Sequence, residues 1–346
     1  VSILEETGYM SRVVFLMDKI MRHFGMSGKS VVPLISGTAC AIPAVMATRN
    51  ISGWKERLIT ILVVPFTTCS ARLPVYAILI ALIIPEERVL GVFSLQGLTL
   101  LALYLLGFSA AVLSGYFLHK VLKISSKTFF LMEMPDYKVP SIKNVFYTVV
   151  EKTKAFVFGA GKIILAISVV LWFLASTGPD AFDNAEAVFE TEKVGTNSDN
   201  YEAELASYKL ENSYIGVMGK AMEPAIKPLG YDWKIGIALI SSFAAREVFV
   251  GTLATIYSVG DDDEDNSTIK QRMAAEINED TGKPLFNFPV GMSLLVFYAF
   301  AMQCVSTLAV VKRETKTWKW PLLQLIGMGV FAYVASFLTY SALVTF

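Results

Sequence analysis

Long stretches without charge alternate with short charged segments along this chain. Residues 89–119, 287–311 and 320–346 contain no Asp, Glu, Lys or Arg. Residues 155–176 carry only Lys162, and residues 58–84 only Arg72, with Pro65 and Pro74 inside the run. A helix needs about 20 apolar residues to cross the hydrocarbon core of a bilayer. The pattern therefore predicts five spanning helices. Two further apolar stretches, 31–48 and 235–260, are interrupted by small and polar residues. Residues 1–24 set Leu4, Val14, Met17 and Met21 near helical spacing, with Asp18, Lys19 and Arg22 on other faces, which predicts an amphipathic helix.

The connecting segments carry an uneven charge. Residues 119–154 hold seven Lys against three acids, residues 312–320 four basic residues against one acid, and residues 49–57 three against one. Basic loops stay in the cytoplasm. Residues 177–232 hold eleven acids against four basics, and residues 259–285 eight against three. Without a basic excess, both can lie outside.

A parity problem follows. The stretch 31–48 is flanked on both sides by inside-type segments, and 235–260 by outside-type ones. One spanning helix cannot begin and end on the same side, whereas a re-entrant hairpin can. Irregular backbone at membrane depth is tolerated where it is buried in protein or lines a wet cavity, which fits the breakers of "SGTACAIPA". The two stretches also share sequence. "LISGTA" at 34–39 matches "LISSFA" at 239–244 in four of six positions, and "CSARLPV" at 69–75 keeps Cys, Leu and Val in register with "CVSTLAV" at 304–310. The order hairpin, then Cys-containing helix, occurs twice with opposite entry sides. That is the pattern of an inverted repeat, which places a substrate site near the midplane.

Composition narrows the class. Of 346 residues, 54% are hydrophobic and only 17% charged, and the mean hydropathy is +0.53. Soluble domains are about a quarter charged, so an integral membrane protein is expected. The net charge is zero, which gives no reason to invoke nucleic acid. Three Cys and two His are too few for a disulfide framework. The chain opens "VSILEETGYMSR", without an initiator Met and without a signal-peptide pattern. Part of a longer protein is expected upstream.

The expected architecture is all-α: a polytopic membrane protein with an inverted repeat of re-entrant hairpin plus Cys-containing transmembrane helix. Its divisions are an amphipathic segment at 1–30, a first repeat with its basic loop at 31–154, a spanning helix with an acidic external insert at 155–232, and a second repeat at 233–346.

Few residues carry candidate chemistry. Cys40 sits within the first hairpin, Cys69 near the middle of 58–84, and Cys304 in the second Cys-containing helix. Thiolates favour soft and borderline metals; the alternative is that each is a small buried hydrophobe. Arg246 and Glu247 lie inside an apolar stretch, where ionisable groups are costly and mark function by default. A mutually neutralising structural pair is the other reading. Glu247 can supply an oxygen ligand or accept a proton. Arg72 can pair with an acid such as Glu247 or serve helix packing. Gly37 and Pro43 are candidate hinges of the first hairpin. "GMSGKS" at 25–30 ends like a phosphate-binding loop, but the first Gly of that motif falls on His23 and no strand precedes it. His23 and His119 lie near membrane boundaries and receive no metal role. "DDDED" at 261–265 reads as a solvated acidic loop rather than a cation collector.

Five segments together carry a family resemblance: "LEETGYMSRVVFLMDKIM", "GKSVVPLISGTACAIPAVMATR", "RLITILVVPFTTCSARLPVYA", "SSFAAREVFVGTLATIYS" and "STLAVVKRETKTWKW". They closely resemble the membrane region of FeoB, the bacterial ferrous iron transporter. The resemblance implies a multi-pass protein of the bacterial inner membrane with two Gate segments, a type also seen in nucleoside transporters. It implies Fe(II) as the transported substrate, with Cys40, Cys69 and Cys304 as ligands on its path; the residue reading adds Glu247 as a charge-compensating or oxygen ligand of the metal. Arg246, Arg72, Gly37 and Pro43 would be gating or structural. The family also has a cytoplasmic N-terminal GTP-binding domain, which would use GTP and Mg, and a helical linker; neither lies in this sequence. No catalytic or cofactor-binding residue is assigned to the chain. The expected partners are the lipid bilayer, Fe(II), that GTP-binding domain, a small cytoplasmic accessory protein and further copies of the chain. The alternative function is a Gate-type transporter of nucleosides or another small solute.

Overall fold

In a computed structural model, residues 2–89, 93–122, 137, 139–179, 205, 208–243, 246, 248–256, 273, 276, 284–302 and 304–345 are described. Glu247, the "DDDED" run, most of the 177–215 insert and residues 123–136 lie outside them.

The chain is an all-α, polytopic membrane protein. Helices α1 (Ser2–Glu6) and α2 (Tyr9–His23) are separated by Gly8, whose φ of 80° is left-handed. The amphipathic reading holds for α2, which buries Met10, Val14 and Met21. Leu4 stays exposed, because the turn at Gly8 takes α1 out of register with that stripe. Gly28–Ser30 forms one 3₁₀ turn. The Gly28 amide donates to Asp18 Oδ1 at 2.7 Å, so this amide serves the fold rather than a phosphate.

Two hairpins of short helices follow the predicted places. The first is α3 (Val31–Gly37) and α4 (Ala41–Ala47). A tight turn at Thr48–Asn50 leads to α5 (Trp54–Val63), and α6 (Leu73–Ile83) continues the same apolar run. A small ladder pairs Arg88–Val89 with Phe93–Ser94. Then come α7 (Leu95–Val121), α8 (Ile142–Ser176) and α9 (Tyr214–Ile226). The second hairpin is α10 (Trp233–Ser241) and α11 (Val248–Ile256). Last are α12 (Phe288–Phe300), α13 (Val305–Thr315) and α14 (Lys319–Thr345).

Five segments among the described residues are long and apolar enough to cross a bilayer: Trp54–Ile83, Leu95–Val121, Val157–Ser176, Phe288–Thr315 and Lys319–Thr345. These are the five that the charge-free runs predict. Two of them are not continuous helices. The first breaks between Val63 and Leu73, the second between Phe300 and Val305.

The chain divides into two compact units. One comprises Val1–Ser70, Ala102–Ile163 and Val305–Gly329, the other Ala71–Leu101, Ile164–Cys304 and Val330–Phe346. The first contains the α3–α4 hairpin, the second the α10–α11 hairpin.

Side chains set the start of the second hairpin. Asp232 caps α10 by accepting from the Ile235 amide at 2.9 Å. Gly230 turns the chain before it at φ 83°, and a Cβ there would meet the Tyr340 ring at 2.7 Å. Tyr231 is buried, and its hydroxyl bonds to Ser293 Oγ at 2.9 Å and Ser336 Oγ at 2.8 Å. This hydroxyl cluster ties the hairpin base to α12 and α14, as interhelical hydrogen bonds do in lipid.

Candidate functional site

The two broken spans hold the chemistry. In Trp54–Ile83 the helix stops at Val63 for a local reason. Pro65 has no N–H to continue the ladder, and Val64–Phe66 tightens into a 3₁₀ turn. Thr67 is extended, a second tight turn runs Ser70–Arg72, and Pro74 lies in the opening turn of α6. Cys69 lies between the two turns, at the middle of the span. In Phe288–Thr315 one helix ends at Phe300 and the next begins at Val305, again at the middle, and Cys304 immediately precedes α13. Both cysteines therefore sit at interruptions of their spans, not inside continuous helices as the charge-free runs suggested.

A broken helix leaves its last carbonyls without intrahelical partners, and in an apolar setting each must find one. At the first break Gln324 Nε2 donates to the carbonyls of Ile61 and Leu62 at 3.3 and 3.0 Å. Thr67 Oγ1 donates to the Val64 carbonyl at 2.7 Å. At the second break a guanidinium does this work. Arg246 Nη2 donates to the Ala301 carbonyl at 2.9 Å, and Nη1 to the Tyr298 carbonyl at 3.5 Å. Arg246 is only 6% exposed.

The tip of the first hairpin meets the first break. Ser70 Oγ donates to the Ala39 carbonyl at 2.8 Å, which brings the residue before Cys40 beside the residue after Cys69. Cys40 is extended, at φ −157° and ψ 135°, and begins α4. Neither cysteine is in a disulfide, and both are partly exposed. Gly37 closes α3 against the same segment: a Cβ there would lie 2.5 Å from Thr67 Oγ1. Pro43 falls in the first turn of α4, where no N–H is needed. At the second tip, Ser241 and Ser242 hydroxyls return to the carbonyls of Ile237 and Leu239 at 3.0 and 2.7 Å.

Arg72 is wholly buried in the turn before α6. Cys304 is free and partly exposed. Glu247 lies outside the described residues. Among the described residues no group of three or more His, Cys, Asp or Glu gathers in a form that could hold a metal ion.

One cluster was not anticipated. Glu314, at the end of α13, is nearly fully buried and takes a forked contact from Arg49, Nη2 to Oε1 at 2.5 Å and Nε to Oε2 at 2.9 Å. Arg57 Nη2 reaches Oε2 at 2.8 Å. The carboxylate raises the Arg49 guanidinium above its ordinary value through this hydrogen bond, against the opposing effect of burial. One acid thus joins the end of the first hairpin, the start of α5 and the end of α13. In the sequence it looks like the lone acid of a basic loop.

Paired short-helix hairpins and paired broken spans define a polytopic membrane protein of the Gate type. The comparisons agree. A family model described as "Nucleoside recognition", Gate, matches residues 1–82 and 157–318, and one described as "Ferrous iron transport protein B C terminus" matches residues 100–152. The chain belongs to the FeoB family and corresponds to its transmembrane Gate region. It is 45% identical over 340 residues to a protein of Leptospira interrogans named Fe(2+) transporter FeoB, covering 98% of this chain and 46% of that one. A Staphylococcus aureus protein of the same name is 36% identical over 343 residues, covering 98% and 44%. A Porphyromonas gingivalis protein named Fe(2+) transport protein A/Fe(2+) transporter FeoB fusion protein is 36% identical over 354 residues, covering 98% and 41%. The chain thus spans just under half the length of these relatives. No solved structure matches it.

Proposed function

We propose that this chain is the membrane-conducting part of a ferrous iron uptake system of the bacterial inner membrane, carrying Fe(II) into the cytoplasm. The observation that carries this reading is the coincidence of a free cysteine with the midpoint break of each broken span. A break frees carbonyl oxygens, and a thiol adds a softer ligand. Together they offer the mixed donor set that a borderline divalent ion accepts. The Ser70–Ala39 bond supports Cys40 and Cys69 acting at one place, and the names of the relatives supply the ion. Cys304 and Glu247 are ligands of the second repeat, which faces the opposite side by loop charge. Thiols release protons on binding a metal, so affinity should rise with pH.

GTP binding and hydrolysis, with Mg, belong to a domain outside this sequence, and this chain is given no catalytic step. The fused Porphyromonas relative supports a small accessory protein as a partner.

The test is anaerobic Fe(II) uptake by cells carrying the full-length protein, with Cys40→Ser, Cys69→Ser and Cys304→Ser compared at matched membrane abundance. Loss of uptake is expected in each. Undiminished uptake in all three would overturn the reading, and nucleoside uptake measured in the same cells would then decide the alternative.

A further inference from the structure

The two broken spans solve the same problem with different chemistry. Each half-helix ends in free carbonyls that carry the negative end of its dipole. At the first break these carbonyls receive the neutral amide of Gln324. At the second they receive the cationic guanidinium of Arg246, shared between Tyr298 and Ala301. The charge is held at depth. Arg246 is buried, as are Tyr298, Ala301 and Met302 around it, and the Phe249 ring packs edge-on against Tyr298 with centroids 4.8 Å apart. A buried charge is costly unless its partners compensate it. A neutral amide would satisfy the same two oxygens, as it does at the first break, so hydrogen bonding alone does not require an arginine.

We propose that Arg246 is a tethered cation that occupies a carbonyl cation site, formed by the Tyr298 and Ala301 oxygens and completed by Cys304, and that the transported ion enters this site by displacing it. Half-helix C-termini and unwound carbonyls are where transporters hold cations at the midplane. Cys304 follows Ala301 by three residues, in the same break. On exchange the guanidinium N–H bonds to the two carbonyls break, metal–oxygen contacts replace them, and the Cys304 thiol gives its proton to water as sulfur binds. A bound +1 charge screens the oxygens from monovalent ions. A divalent ion, with twice the charge and a taste for sulfur, can evict it. Arg246 is thus a specificity-determining residue rather than a ligand. This deepens the Fe(II) reading and rests on it.

The experiment uses full-length protein purified anaerobically in detergent and titrated with Co(II), a visible stand-in for Fe(II), following sulfur-to-metal charge-transfer absorption. Wild type, Arg246→Gln and Arg246→Lys are compared, each with and without Cys304→Ser. Removing a competing positive charge from the oxygens strengthens cation binding there. Arg246→Gln should tighten Co(II) binding tenfold or more. Arg246→Lys keeps the charge but loses the fork that spans two carbonyls, so it should tighten binding about threefold. Cys304→Ser should remove the gain in both. A folded Gln or Lys variant that binds Co(II) no more tightly than wild type overturns the proposal. So does a gain that survives Cys304→Ser. Failure of both variants to fold also overturns it, because the guanidinium is then a structural cap. The uptake reading fails on a different result, unchanged Fe(II) uptake in the three cysteine variants, so the two can be told apart.

Discussion

The Ser70 hydroxyl donates to the Ala39 carbonyl across 2.8 Å. The bond joins the tip of a hairpin to the broken middle of a span 31 residues further along, and it brackets Cys40 and Cys69. These two thiols should therefore be bridged by one Hg(II) ion. In a Cys304→Ser background, one equivalent of Hg(II) should protect both from a maleimide. Protection of only one thiol per Hg(II), with two equivalents needed to block both, would show that the tip and the break do not present them together.

Gly37 holds the same junction by steric fit. A methyl group there would press on Thr67 Oγ1 at 2.5 Å, a hydroxyl already committed to the Val64 carbonyl. Gly37→Ala should destabilise the protein by ~1–3 kcal/mol, the usual cost of overpacking. Adding Thr67→Ala should recover part of that loss. A double-mutant cycle on thermal unfolding in detergent measures the coupling, and additive effects would place the strain elsewhere.

Glu314 is buried while its partner Arg49 reaches solvent. Glu314→Gln leaves Arg57, largely enclosed, without a charge partner, whereas Arg49 can rehydrate. A loss of about 1–3 kcal/mol is expected, below the ~3–5 kcal/mol for breaking a fully buried pair. Arg57→Gln alone should cost more than Arg49→Gln alone. The reverse order, read from melting temperatures of the purified variants, would contradict the geometry.

Asp232 gives the protein a pH dependence of unusual sign. Burial pushes its carboxyl up to about 6, and Glu276 adds to this; the Ile235 amide and Lys234 oppose it without winning. The folded state then holds its proton more tightly than the unfolded chain does. Stability should rise as pH falls from 7 through about 6 and level off near the ordinary carboxyl value, contrary to the usual acid weakening. Asp232→Asn keeps an oxygen to cap α10 and removes the titration. The variant should match wild type near pH 4 and exceed it by ~2–3 kcal/mol at pH 7. Parallel curves for the two proteins across this range would disprove the assignment.

The five spans and the two interrupted stretches were legible because lipid imposes a length and a lack of charge that hydropathy reports directly. The buried ionisable residues stood out for the same reason: Arg72 and Arg246 are both enclosed. The breaks were harder. Pro65 and Pro74 hinted at the first, but "AMQC" at 301–304 contains neither Pro nor Gly, so nothing local announced the second. Gln324 and Glu314 escaped notice because their work is done through space. Gln324 reaches back more than 260 residues to Ile61 and Leu62, and no periodicity encodes such a pairing.

The Glu314 cluster also orders the making of the protein. Arg49 and Arg57 leave the ribosome well before the carboxylate that receives them, which follows 265 and 257 residues later. Until α13 is made, the end of the first hairpin and the start of α5 have their two guanidinium groups but not the acid that fastens them. The nascent chain can fasten these two segments to each other through Glu314 only when α13 arrives.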